Sequence, residues 1–156
     1  MAVRDKTPFK AGEIYFITFT IRNWEKIFID NASCGLVYKW FRYMDEYYGN
    51  KIHGYVIMPN HIHVLLYVSI ASPILSTVVF NAKRFLAYGL HCLFEPRYDS
   101  LMIQSRKFFL EKLNYIHTNP CRGRWQLADK PEDYIHSSAS NYILGRGIYP
   151  VILIDF

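Results

Sequence analysis

The sequence has few cysteines and none of the patterns that cysteines form in disulfide scaffolds or zinc-binding domains. Only Cys34, Cys92 and Cys121 are present in 156 residues, and no two of them form a CxxC pair. A scattered, odd-numbered set argues against a disulfide framework and favours a reducing, cytoplasmic environment. The first residues carry charges of both signs without an apolar stretch, so we expect no secretion signal.

Long hydrophobic runs and low-complexity segments are missing as well. The longest relevant uncharged run, 64–82, is interrupted by the sequence SIASP, so it predicts a strand followed by the start of a helix rather than a membrane span. Hydrophobic residues make up 51% of the chain and aromatic residues 17%, which excludes a disordered protein. Because no repeat or linker is visible, we predict one domain over residues 1–156.

Acidic residues are scarce in one part of the chain, and this accounts for its positive charge. The net charge is +5, and the segment 83–124 holds eight of the 18 Lys and Arg residues but only three of the 13 acids. A locally basic half favours a polyanionic partner, most simply nucleic acid. A solvated surface with a mild charge bias is the alternative that charge alone leaves open.

Hydrophobic periodicity predicts an α+β fold in which strands and helices alternate. The order β-α-β-β-α-β-α is that of a ferredoxin-like (split βαβ) antiparallel sheet with one extra C-terminal helix, which would place helices on both faces. The predicted strands are 13–21, 51–58, 61–68 and 97–103, with 149–154 as a final strand or arm. The predicted helices begin after Asp30 or Asn31, at Ser72 with Pro73 in the first turn, and at Ser105, and a turn at 131 leads into a short helix.

The stretch MPNHIHVLLYV places two histidines at the start of the third strand. Residues two apart in a strand point to the same side, so His61 and His63 project from one face. If Pro59-Asn60 forms a two-residue turn, they lie opposite Met58 and Val56. This pair can chelate one ion, or it can be an idle, half-solvated pair at the end of a hairpin.

The third long helix offers residues that would complete such a site. Phe109, Leu113 and Ile116 form its core stripe, and Tyr115 and Asn119 share one flank of the helix. If the helix lies over the histidine face, Asn119 completes a His-His-Asn ligand set with Tyr115 beside the ion. Otherwise these are a half-buried ring and an ordinary C-terminal amide. The same register puts His53 opposite Leu66 on the other face, which disfavours a three-histidine zinc site.

A ligand set of two imidazoles and one amide has a clear chemical use. It leaves the charge of a divalent ion uncancelled, which suits polarisation of an anionic phosphate. Mixed nitrogen and oxygen ligands fit Mg²⁺ or Mn²⁺, with zinc possible on affinity grounds. A neighbouring tyrosine can then act as a covalent nucleophile toward a phosphodiester.

Three motifs in this order resemble the single-tyrosine HUH transposases, which include the REP-associated tyrosine transposases of bacteria. They are YVIMPNHIHVLL, KLNYIHTNP and PEDYIHSSASNY, and the resemblance extends over 14–142. It implies that Tyr115 is the nucleophile and that His61, His63 and Asn119 bind the metal, Mg²⁺ or Mn²⁺. It also implies cleavage of single-stranded DNA near a hairpin, with a 5′-phosphotyrosine and a free 3′-OH, by a homodimer or a monomer associated with the nucleoid.

Basic side chains in and around the last two long helices are the candidate DNA contacts, although a solvated surface explains them equally well. They are Lys83, Arg84, Arg106, Lys107, Lys112, Arg122 and Arg124. Two other functions remain open. One is a catalytically inactive, domesticated protein that binds DNA hairpins, and the other is a zinc-dependent hydrolase, for which we find no carboxylate base near the histidines.

Overall fold

The computed structural model describes residues 7–154, so residues 1–6 and 155–156 of the predicted domain lie outside the described part. Strands and helices follow one another in the predicted order. In chain order they are β1 (Glu13–Thr20), α1 (Asn31–Tyr48), β2 (Lys51–Met58), β3 (His61–Val68), α2 (Leu75–Leu90), β4 (Asp99–Met102), α3 (Arg106–Thr118) and α4 (Ala139–Leu144).

The four strands form one antiparallel sheet in the order β2-β3-β1-β4. This is the ferredoxin-like arrangement, so the predicted fold class is confirmed. The fourth strand is shorter than predicted and is restricted to Asp99–Met102. Of the two alternatives for 149–154, the strand is wrong and the arm is right, because the segment has no strand structure; its Ile152 N–H donates to the Ile52 carbonyl of β2.

Helix α1 begins and ends at residues that the sequence indicates. Asp30 is its N-cap. The Asp30 carboxylate accepts a hydrogen bond from the Ser33 backbone N–H, and the Ser33 hydroxyl accepts one from the Asp30 backbone N–H, which together form a capping box. Gly49 ends the helix in the left-handed conformation, where glycine has no steric cost. The helix buries the stripe containing Val37, Phe41 and Met44.

Helix α2 begins later than predicted. Its first residue is Leu75, and its N-cap, Ile74, makes no side-chain capping bond. Ser72, the predicted cap, is used elsewhere, since its hydroxyl accepts from the Asn50 amide and donates to the Pro73 carbonyl. Asn50 is buried and needs this partner, so tertiary contact overrides the local capping preference.

The sheet is covered on both faces, as the apolar character of β3 predicts. One face of β3, with Ile62 and Val64, belongs to the core beneath α1 and α2. On the other face Leu65 packs with Phe109, Leu113 and Ile116 of α3, which confirms the predicted stripe. Helix α3 is therefore the second cover of the sheet, and it lies on the face that carries His61 and His63.

A β-bulge in β2 changes one predicted position. The register of β2 with β3 shifts between Ile52 and Gly54, so His53 is not opposite Leu66. The His53 ring lies 6.2 Å from that of Phe109, on the α3 face, although the sequence places it on the opposite face. Its Nδ1 lies 2.9 Å from the Ile152 carbonyl, and it takes no part in the His61–His63 cluster.

None of the helices in the part of the chain from 7 to 154 has the length and apolar character that crossing a bilayer would require. The uncharged run at 64–82 consists of the end of β3, a turn and the first half of α2, as predicted.

Candidate active site

The β2–β3 hairpin holds the two histidines side by side and out of water. Its turn is Pro59-Asn60, and the register pairs Met58 with His61 and Val56 with His63, as predicted. The imidazole centroids are 4.7 Å apart, and the two residues are only 8% and 4% exposed. Idle, half-solvated histidines would not have this burial, because an imidazole without partners is costly to bury.

The end of α3 brings the tyrosine and the amide to the same place. The Tyr115 ring lies 5.3 Å from the His63 ring, at right angles to the Phe16 ring, and 38% of the residue is exposed. Asn119, in the short 3₁₀ helix that follows α3, is buried. The structure thus brings together, around one cleft, all four residues to which the sequence analysis gives chemical roles.

Two polar atoms at this place are buried without a hydrogen-bond partner. They are Nε2 of His63 and Oδ1 of Asn119, both in side chains that line one cleft. Leaving such atoms unsatisfied is costly, and most buried polar atoms in proteins have partners. A divalent cation would satisfy both, since neutral imidazole nitrogen and amide oxygen are metal ligands. The residues present therefore fit a metal ion.

Hydrogen bonds at Nδ1 of His61 and His63 determine which nitrogen of each ring has a lone pair available for a metal ion. The Asn60 amide donates from Nδ2 to the Trp24 carbonyl, which directs Oδ1 toward Nδ1 of His61 at 2.7 Å. Because an amide oxygen only accepts, His61 must carry its proton on Nδ1, and its Nε2 keeps a lone pair. The hydroxyl of Thr18 lies 2.6 Å from Nδ1 of His63 and can accept a hydrogen bond from the N–H there in the same way.

Burial also keeps the imidazoles neutral. It lowers the pKa of His61 to about 4, while the nearby side chain of Asn119 acts in the opposite direction. Burial lowers the pKa of His63 well below its usual range, and the charges of His61, Arg122 and Lys112 act in the same sense. Near neutral pH both rings can therefore offer lone pairs to a cation.

The cleft in front of these residues has a volume of about 770 Å³; of the predicted DNA contacts, Lys112 lines it and Arg122 lies beside Tyr115. The Lys112 ammonium lies 5.7 Å from the Tyr115 ring centroid, and the Arg122 guanidinium carbon lies 4.4 Å from it. Arg122 also donates to the Tyr115 carbonyl. An anionic substrate approaching the phenol would meet both cations.

The other predicted DNA contacts are not part of this cluster. Lys83 donates to the carbonyl oxygens of Glu95 and Pro96, and Arg84 lies on α2, on the other side of the sheet. Arg106 and Lys107 are in the first turn of α3, far along the helix from Tyr115, and Arg124 is exposed in the turn after α3.

Several functional candidates lie outside the sequence prediction. Thr18 reaches His63 only because β1 pairs with β3, a register that no local pattern indicates. Asn60 directly precedes His61, so its position in the turn was a usable signal. Glu95 and Asp99 also line the cleft, and the sequence analysis does not single them out. Even so, residues 7–154 contain no cluster of three His, Cys, Asp or Glu side chains suited to a metal.

Comparison with known proteins supports the resemblance that the motifs indicate. No protein-family model matches the chain. It is 25% identical over 105 residues to a REP-associated tyrosine transposase of Escherichia coli K12, an alignment that covers 65% of this chain and 61% of that protein. The predicted resemblance is thereby confirmed.

Solved structures show the same fold. A REP-associated tyrosine transposase bound to a REP hairpin superimposes with a TM-score of 0.77 at 19% identity, over 99% of this chain and 94% of that one. A candidate transposase from Deinococcus radiodurans superimposes with a TM-score of 0.52 at 16% identity, over 73% of this chain and 95% of that one. At these identities the likeness concerns the fold.

Proposed function

We propose that this protein is a DNA transposase, in which a metal-dependent site cleaves and rejoins single-stranded DNA through a covalent bond to Tyr115. The observation that carries the proposal is the position of the Tyr115 ring, 5.3 Å from His63, whose Nε2 is buried and unsatisfied. The similarity to a REP-associated tyrosine transposase gives independent support.

His61, His63 and Asn119 are the proposed ligands of a divalent ion, Mg²⁺ or Mn²⁺. The ion would polarise a phosphoryl oxygen and stabilise the charge that develops on it. The hydrogen bonds from Nδ1 of His61 to Asn60 and between His63 and Thr18 orient the two rings for this task.

The Tyr115 phenol oxygen attacks the phosphorus of a DNA phosphodiester. A bond forms between the phenol oxygen and phosphorus while the bond from phosphorus to the 3′ oxygen breaks. The phenol loses its proton to solvent, and the leaving oxygen takes up a proton from solvent to give a free 3′-OH. The reverse attack by another 3′-OH releases the tyrosine and joins two strands, so no external energy source is needed. Lys112 and Arg122 hold the phosphate backbone beside the phenol.

The substrate we propose is single-stranded DNA next to a hairpin, by analogy with the hairpin-bound structural relative. Tyr115 and both histidines come from the same chain, so one chain can supply a complete site, whether the protein acts as a monomer or as a homodimer. Action on DNA would place the protein at the bacterial nucleoid.

A denaturing gel with labelled single-stranded DNA tests the proposal. Wild-type protein with Mn²⁺ should give a band that survives denaturation, whereas Tyr115→Phe should bind the DNA but give no such band. Tyr98→Phe is the matched control, since Tyr98 lines the same cleft and should leave adduct formation intact. Adducts formed by Tyr115→Phe would overturn the assignment. Binding of hairpin DNA without adducts in wild type would favour the inactive, domesticated hairpin-binding protein.

A further inference from the structure

We propose a second binding site for single-stranded DNA in the groove between α1 and α2, which goes beyond the cleavage site proposed above. The groove has a volume of about 690 Å³ and lies on the face of the sheet opposite to the histidines. Its lining residues are Lys39, Trp40, Tyr43, Met44, Tyr48, Val78, Asn81, Arg84, Phe85 and Tyr88. Half of them are aromatic.

The aromatic side chains of this groove are more exposed than a folded core requires. Trp40 is buried and forms the floor, while Tyr88 is 86% exposed, Tyr43 46% and Phe85 42%. The two helices touch at one end, where a Cβ on Gly89 would lie 2.9 Å from Leu36, and the groove extends along the rest of the pair. Exposed aromatic walls of this kind mark interaction surfaces.

The charged residues that line the groove indicate that its ligand is negatively charged. Lys39 and Arg84 are its charged lining residues, and none of the described residues that line it is Asp or Glu. Asp45, which follows Met44, is paired with Lys51 and does not line the groove. A ligand must therefore combine flat apolar groups with negative charge.

Unpaired nucleotides have both properties. Bases stack on aromatic side chains regardless of sequence, and the phosphates between them pair with Lys or Arg. A groove of this volume is within the range that binds compact ligands, so we infer that it takes one or two bases with their phosphates. A second copy of this chain would match the aromatic walls but not the excess positive charge.

Binding of fluorescent, unstructured oligothymidine tests the groove. Tyr88→Ala should weaken binding roughly five- to 150-fold, the loss expected for one stacked base. Arg84→Gln should reduce the slope of log affinity against log salt by about 0.7, the value for one phosphate contact on a single strand. Phe80→Ala is the matched control, because Phe80 is a 63% exposed aromatic on the same helix that does not line the groove.

Photocrosslinking with bromodeoxyuridine oligonucleotides adds a readout that does not depend on affinity. Crosslinks should map to Tyr88 or Tyr43 in the wild type and also in Tyr115→Phe, which keeps this groove. Unchanged binding in Tyr88→Ala and Arg84→Gln would overturn the inference without touching the cleavage proposal. So would a loss of dimers caused by Tyr88→Ala with DNA binding intact, since the occupant would then be a second chain.

Discussion

Asn60 offers a sharp test of whether the proposed metal site orients His61 through its Nδ1 proton. Its Oδ1 accepts from Nδ1 of His61 at 2.7 Å, and both residues are buried. Asn60→Ala removes the acceptor, which leaves a buried N–H without a partner at a cost of about 1–3 kcal/mol. The ring can avoid that cost by moving its proton to Nε2, but the nitrogen that faces the cleft then loses its lone pair.

Either outcome should weaken metal binding. Loss of the hydrogen-bond partner of a ligating histidine typically costs about 10–100-fold in metal affinity, and we expect the same range for Asn60→Ala. Asn60→Asp is the matched control, because it keeps an oxygen acceptor at the same position. Its metal affinity should be no more than a few-fold weaker than that of wild type.

Calorimetric titration of the metal-free protein with Mn²⁺ at neutral pH measures the effect directly, without any DNA or catalytic turnover. Nitrogen chemical shifts of the histidine rings report the tautomer before metal is added, and the wild-type shifts should indicate a proton on Nδ1 of His61. If Asn60→Ala is folded by circular dichroism and still binds Mn²⁺ within twofold of wild type, the tautomer argument is refuted.

Three further predictions concern stability and binding. Gly54→Ala should destabilise the protein by about 1–3 kcal/mol in urea unfolding, because a Cβ there would lie 2.7 Å from Leu113, whereas Gly35→Ala, with nothing within 4 Å, should not. Burial lowers the pKa of His117 to about 4, so on acidification the unfolded chain takes up a proton at this residue before the folded protein does. The free energy of unfolding should therefore fall by about 2 kcal/mol between pH 7 and 5 through this residue. Thermal melts of His117→Gln should show a smaller loss of stability over the same range. Arg122→Gln should weaken DNA binding and flatten its salt dependence, measured by anisotropy.

The order of elements was predictable because each element carries its own local signals. Asp30 and Gly49 delimit α1, Ser105 begins α3, and Pro59-Asn60 fixes the hairpin register that puts His61 and His63 on one face. These features depend on a few neighbouring residues, which is the range over which sequence patterns act.

Features that depend on distant contacts were not predictable in the same way. The bulge at His53 exists where Gly54 allows Leu113 of α3 to approach β2, and no local pattern around His53 indicates it. Ser72 is drawn away from capping by buried Asn50, and Thr18 meets His63 only through strand pairing. In each case the deciding partner is at least 22 residues away in the chain.

The candidate site and the hydrophobic core are built from the same contact between α3 and the sheet. Phe109, Leu113 and Ile116 pack the helix against the sheet. Tyr115 lies on the helix surface beside that stripe, so it reaches the edge of the interface next to His63. This explains why the imidazole of His63 can be buried while the phenol of Tyr115 stays partly exposed to solvent. Substitutions that shift α3, even at positions remote from the cleft, should therefore impair the proposed DNA cleavage before they unfold the protein, because a displacement of about 1 Å between reacting groups can cost roughly 100-fold in rate.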